Sequence, residues 1–292
     1  MSYNLTNLQT YTDELSFDLI SKAVLQTNVM NYATIRSGLK FGTTTINLLD
    51  GAITVADRSC GWDAAGNLNY SQVTIDMQEK QTKQALCPTD LRDYYLADKL
   101  SASANAEEVP FEEVVSNFFV EKIKNWNESY LGGKIISDIT VANGAATSGQ
   151  TVASTASTIV ADVMDLIDAV DPAVLDREDL GVILSPAYFN MLRRALIAQN
   201  LYHFNPADTN SNVELMMPGT DFKVIKSSGF VGSNAMVAGP LGDLVVGVSL
   251  EDDFDSLSIF YSKDNDEVRV MAAWRIGLGV VDVTKWAKNG TL

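Results

Sequence analysis

The sequence predicts an α+β protein, and two features carry that reading. One stretch has the three- and four-residue apolar spacing of a long amphipathic helix, and two others alternate apolar and polar residues with the two-residue period of strands. The helical stretch is Pro110 to Gly133, where Phe111, Val114, Val115, Phe118, Phe119, Ile123 and Trp126 fall on one broad stripe. Pro110 suits a first turn, Glu112 and Glu113 sit at the positive end of the dipole, and Gly132-Gly133 supply a left-handed stop. Phe111, Val115, Phe118, Phe119, Ile123 and Trp126 are therefore expected in the core.

Residues 1 to about 32 are polar and Thr/Asn-rich, with a short amphipathic turn around Leu15, Leu19, Ile20 and Val24. They have little core of their own and read as an arm lying on something else or as a frayed terminus with one helix. From Leu39 to Leu86 the period is that of strands. Ile46 and Leu48, Ile53 and Val55, then Val73, Ile75 and Met77 alternate with polar residues around a Gly/Asn/Asp-rich tip, Asp57 to Tyr70. A two-stranded arm so poor in large apolar groups is marginal alone in water, so a neighbour must support it. Pro88 breaks the pattern, and a short helix holding Leu91, Tyr94, Tyr95 and Leu100 follows.

After Gly133 the sequence suggests a short strand pair or surface flap. A second helix then runs through Ile159, Val163, Leu166, Ile167 and Val170 and ends at Asp171-Pro172. Gly181 to Leu184 reads as a buried strand leading into a helix capped by Ser185 with Pro186 at its first position. Residues 200–214 form a polar loop. The C-terminal part is mostly strand: Phe222 to Ile225, Met236 to Ala238, Leu244 to Val248, Leu257 to Tyr261, Val268 to Trp274 and Ile276 to Val283, with a hairpin turn at Lys263 to Asp266.

Composition narrows function. With 292 residues, 46% hydrophobic and 20% charged, the chain has ample material for a core. A net charge of −16 with no basic run excludes a protein that grips a phosphate backbone, though not one that encloses DNA. No window approaches the roughly 18 apolar residues of a membrane span, and the first residues lack the charge and apolar run of a signal peptide. Cys60 and Cys87 are too few for a secreted disulfide framework and are expected as free thiols, consistent with synthesis in a reducing cytoplasm, a bond between subunits after release into an oxidising medium being the other reading.

A catalytic constellation is absent from the sequence. His203 is the single histidine, which excludes histidine triads and two-histidine metal sites. Gly277-Leu278-Gly279 is only a fragment of a dinucleotide fingerprint and lies in a predicted strand. The acidic runs Glu251 to Asp255 and Asp264 to Glu267 lack calcium-loop spacing and read as solvated turns. No cofactor, metal or catalytic residue is expected.

The order of parts, closing on VRVMAAWRIGLGVVD within Glu267 to Asp282, resembles the major capsid proteins of tailed bacteriophages, the Hong Kong 97-type capsid fold. Cys60-Gly61-Trp62, with Leu86-Cys87-Pro88 leading to Asp90-Leu91, is similar to capsid proteins of crAss-like and other Bacteroidetes phages. The resemblance implies an N-terminal arm at 1–38, an extended β-hairpin loop at 39–86 and a peripheral domain with a long spine helix at 87–149. It further implies a mixed α/β axial domain at 150–240 and C-terminal strands, 241–292, returning through the axial to the peripheral domain. Cys60, Gly61, Trp62, Asp63, Asn67 and Tyr70 would then lie at the assembly interface of the extended loop.

The implied function is self-assembly through pentamers and hexamers into an icosahedral shell around packaged double-stranded DNA. Scaffolding, portal and decoration proteins are the implied partners, with no membrane, and the virion is the implied location after assembly in the host cytoplasm. The tip lacks the lysine that some members cross-link, and the chain lacks their long helical scaffold segment, so a separate or removed scaffold is expected. The other readings are an encapsulin-type nanocompartment shell and an uncharacterised α/β enzyme.

Overall fold

The computed structural model describes residues 27–39, 42–53, 66–87, 111–150, 152–201, 214–248, 256–262, 264–265 and 267–290. It is a mixed α and β structure in which two six-stranded sheets pack with helices.

The first sheet has the order β1-β9-β11-β3-β2, with β10 also on β11. Its strands are β1 (Thr34–Arg36), β2 (Gly42–Ile53), β3 (Gly66–Leu86), β9 (Leu244–Val248), β10 (Ser256–Ser262) and β11 (Glu267–Val280). The hairpin predicted from alternation is present: β2 and β3 pair antiparallel from Gly42↔Met77 out to Ile53↔Gly66. β3 does not end with the hairpin. Its remaining residues pair with β11 from Gln78↔Ile276 to Leu86↔Val268, so one strand belongs to both the arm and the sheet.

β11 merges two strands that the sequence reading kept apart at Arg275. Gly277 and Gly279 lie in strand, as the sequence predicts, and form a floor, with Gly247 of β9, over which β3 passes. A Cβ on Gly277 would stand 2.9 Å from Met77 Sδ, one on Gly247 2.6 Å from the same sulfur, and one on Gly279 2.8 Å from Ile75 Cγ1. Ile75 and Met77 are fully buried there, which roots the hairpin in the sheet through two side chains.

The long helix, α1 (Phe111–Asp138), lies against β11. Trp274 Nε1–H donates to Asn127 Oδ1 at 2.8 Å, pairing two polar groups within that buried layer. The predicted stop at Gly132-Gly133 is overturned, because the helix continues to Asp138. Gly132 is a crossing point: its Cβ would lie 2.5 Å from Gly229 Cα, in the short 3-10 turn Ser228–Phe230 that packs on the helix. Sequence pattern could not separate a glycine that ends a helix from one that lets another backbone approach it. The helix also absorbs Lys134 to Asp138, which had been assigned to a flap, and only Ala146–Thr147 (β4) is strand there.

The second sheet has the order β4-β12-β8-β5-β7-β6. It comprises β5 (Leu180–Leu184), β6 (Glu214–Met216), β7 (Lys223–Lys226), β8 (Val237–Pro240) and β12 (Ala287–Lys288) besides β4. Helices α2 (Ile159–Asp168) and α3 (Pro186–Ala198) bury Ile159, Val163, Leu166, Phe189 and Leu192 in its core. As the sequence predicts, Ser185 caps α3, its Oγ accepting from Tyr188 N–H at 3.3 Å, with Pro186 in the first turn. The predicted 88–100 helix, the acidic run Glu251 to Asp255 and His203 lie outside the described residues.

Candidate assembly surfaces

The candidate sites are the surfaces this architecture leaves open. Among the described residues no group of three or more His, Cys, Asp or Glu could hold a metal ion, and no helix is long and apolar enough to cross a membrane.

The hairpin is the first surface. Thr43, Thr45, Gln72 and Thr74 of β2 and β3 are exposed, and the outer edge of β2 has no partner strand among the described residues. Such an edge presents unpaired backbone N–H and C=O groups. Of the predicted interface residues, Asn67 and Tyr70 stand in β3 opposite Ala52 and Leu49. Cys60, Gly61, Trp62 and Asp63 lie outside the described residues, as do the side chains of Asn67 and Tyr70. Cys87, at the far end of β3, is an exposed free thiol.

The second surface lies along one flank of α1, and it corrects two predicted core residues. Phe119 and Ile123 are buried as expected, on a row that continues through Asn127, Leu131 and Ile135. Phe118 is 52% exposed and Trp126 41% exposed. Both belong to the next four-residue row, Phe118, Lys122, Trp126 and Tyr130, about 100° further round the helix. Apolar residues at three- and four-residue spacing covered a wider arc than the sheet can bury. The side chains of Phe111 and Val115 fall outside the described residues.

This aromatic row is ordered by its own contacts. The rings of Trp126 and Tyr130 stack at 5.3 Å, and Trp126 meets Trp274 edge-on at 5.7 Å. Lys80 Nζ stands 5.8 Å from the Trp126 ring and 5.4 Å from Tyr130, and Lys122 Nζ 5.2 Å from Phe118. Between the helix and the Lys80–Leu86 part of β3 runs an open groove of about 470 Å³, floored by Phe119, Ile123 and Trp274. Among the described residues no carboxylate lines it. No sequence motif marks this groove, because its two walls are some 40 residues apart in the chain.

The third feature is a strap, residues 27–36, on the opposite flank of α1. Glu128 is buried there, accepting from Ser227 Oγ–H at 2.6 Å and from Val29 N–H at 3.4 Å. Thr27 and Asn28 also donate to it, and burial outweighs these bonds to push the carboxyl above its ordinary value. Further along, Asn28 Nδ2–H donates to the Lys226 carbonyl at 3.3 Å, Tyr32 O–H to Glu214 Oε2 at 2.7 Å, and Thr34 Oγ1–H to the Gly242 carbonyl at 2.8 Å. The strap then joins the first sheet, β1 running parallel to β9. It thus ties β6 and β7 of one sheet to β9 of the other. The sequence offered no sign of Glu128, which looks like any helical glutamate.

No family model matches the chain, and no curated protein matches it in sequence. Solved structures do match over nearly its whole length. The virus-like particle of Pyrococcus furiosus aligns at 11% identity and TM-score 0.57, over 96% of this chain and 99% of its own. The capsid of a native GTA particle aligns at 15% identity and TM-score 0.59, over 92% of this chain and 90% of that one. The mature capsid of bacteriophage PhiM1 aligns at 12% identity and TM-score 0.53, over 91% and 88%. At such identities the shared property is the fold, and the fold is the Hong Kong 97-type fold of capsid and virus-like-particle subunits.

Proposed function

We propose that this chain is the major capsid protein of a tailed bacteriophage, assembling through pentamers and hexamers into the icosahedral shell that encloses packaged DNA. The carrying observation is the end-to-end likeness to shell subunits: the aligned parts account for nearly all of this chain and of theirs. The open hairpin edge and the half-exposed aromatic row support it, since both leave for a neighbour what a monomer would cover. On this reading the chemistry is association between subunits.

On this reading residues 1–38 are the arm, 39–86 the extended loop, 87–149 the peripheral domain with α1 as its spine, and 150–240 the axial domain. Residues 241–292 return to the peripheral domain. The presence of two cores, one under α1 and one under α2 and α3, supports separating a peripheral from an axial part. Assembly takes place in the host cytoplasm, with scaffolding, portal and decoration proteins as partners, and the product is the virion. Electron microscopy and sedimentation of concentrated protein, alone and with a co-expressed scaffold, test the proposal. Pentamers, hexamers or shells are the expected species; a monomer at every concentration refutes it. Particles that hold a protein cargo instead of DNA would favour the nanocompartment reading.

A further inference from the structure

We propose that the start of the strap, Thr27 to Met30, is a proton-linked latch on α1, held closed while Glu128 carries a proton and opening more often as that proton is lost. The inference concerns the single subunit and goes beyond the shell reading.

The latch is a buried carboxyl enclosed by neutral groups. Glu128 is 3% exposed on α1, Thr27 and Val29 of the strap are buried beside it, and fully buried Ser227 stands on its other side. Among the described residues no ion pair includes Glu128. The charged and titratable groups of the surrounding elements lie elsewhere. Lys124, one turn earlier on α1, makes no salt bridge to it, Tyr32 of the strap donates to Glu214, and Lys226, next to Ser227, lies over the Phe189 ring. An ionised Glu128 is thus a buried charge whose hydrogen-bond partners are all neutral.

Those partners suit the neutral acid equally well. The shortest bond, 2.6 Å to Ser227 Oγ, is to a hydroxyl, which can turn and accept from a protonated Oε1 as readily as it donates to an ionised one. Oε2 then still accepts the Val29 N–H at 3.4 Å. Protonation therefore breaks no contact, whereas ionisation leaves a charge that calls for water. The balance between burial and hydrogen bonding at Glu128, in which burial prevails, agrees with this.

Of the walls around the carboxyl, the strap is the one free to move. α1 and the Ser227–Phe230 turn meet backbone to backbone at Gly132 and Gly229, with no side chain between them to swing aside. The start of the strap is tied by Val29 N–H to Glu128 and by Asn28 Nδ2–H to the Lys226 carbonyl, while beyond it Tyr32 and the β1 pairing to β9 fix the chain. Opening is a swing of residues 27–30 about Tyr32 that wets Glu128, Val29 and Met30 together.

The sign follows from linkage. In the open state the carboxyl is solvated and titrates in the ordinary range; in the closed state burial raises it. The proton's contribution to closure is complete below the ordinary range and is lost as pH rises through the raised value. Between the two, the opening constant rises by up to about tenfold per pH unit, the limit for one proton.

Hydrogen exchange of the full-length, unassembled subunit tests this, followed by mass spectrometry from pH 5 to 8 and corrected for the intrinsic pH dependence of exchange. Residues 28–30 should open with a larger constant than the core strand β5 at every pH, and that constant should rise several-fold with pH. Glu128→Gln, a permanent mimic of the neutral acid, should abolish the rise. A constant that stays flat from pH 5 to 8 in the natural protein overturns the latch without recourse to any variant. So does an opening constant equal to that of β5, which would mean that the strap opens only when the whole subunit unfolds, or a rise that persists in Glu128→Gln. No assembly is involved, so each of these outcomes leaves the shell reading standing.

Discussion

Two adjacent glycines of α1 should respond to alanine in opposite directions. Gly133 is exposed and has nothing within 4 Å of where a Cβ would stand. Gly133→Ala gains helix propensity alone, about 1 kcal/mol. Gly132→Ala gains the same propensity, but its Cβ would stand 2.5 Å from Gly229 Cα and 2.6 Å from Gly229 C. Carbon atoms settle at about 3.5–4 Å, so the two backbones must part by roughly 1 Å. Both partners are main chain and cannot rotate away, which places the cost near the top of the usual overpacking range, about 3 kcal/mol. The net change is then about −2 kcal/mol for Gly132→Ala against about +1 for Gly133→Ala. For a chain of this size these become roughly 4 °C down and 2 °C up in melting temperature. Scanning fluorimetry of the unassembled subunit reads both. Equal shifts of the same sign would show that α1 and the Ser227–Phe230 turn do not cross so closely.

Three further outcomes follow from other contacts. Trp274→Phe keeps the ring but strands Asn127 Oδ1 in a buried layer, and should lower subunit stability by about 1–3 kcal/mol in denaturant titration. Burial holds the Glu128 carboxyl above its ordinary value, so the folded state binds that proton more tightly than the unfolded chain does. Stability from this group is present at low pH and lost as pH rises through the raised value. The melting temperature of the natural protein minus that of Glu128→Gln should therefore grow as pH falls from 7 to 5; a constant difference would mean the carboxylate is solvated. Replacing residues 54–65 by a two-residue Asn-Gly turn should leave the circular dichroism of the subunit unchanged, because Ile53 and Gly66 already face each other. Shell formation should fail in that variant, while loss of the subunit fold would show that the hairpin end is internal.

What was legible in the sequence was whatever local pattern decides. Ser185-Pro186 marked the start of α3 because a hydroxyl cap and a proline act within one turn. Alternation found β2 and β3, and in β3 the alternate residues Ile75 and Met77 are buried. What failed depended on distant neighbours. Gly132 read as a helix stop, yet it sits inside a continuous helix at a point where another segment crosses. Trp126 read as core, and only the width of the sheet beneath α1 determines that it lies on the rim. The groove joins residues from two elements that no linear motif links, and the strap depends on a glutamate without local signature. The predicted interface residues at 60–63 rest on resemblance and lie outside the described residues.

β3 has a mechanical consequence. A strand rises about 3.3 Å per residue, so the stretch from Gln78, where pairing with β11 ends, to Gly66 projects roughly 40 Å. It is continuous with a sheet strand and clamped at its base by Ile75 and Met77, so it behaves as a cantilever without a hinge. A tilt of the sheet by about 10° would carry the far end sideways by about 7 Å, two residue lengths of strand. Small changes of subunit orientation thereby become large changes in where a neighbour is met. Conversely, a neighbour that holds the far end fixes the tilt of the whole sheet, and curvature becomes a quantity that each subunit reads from the one beside it.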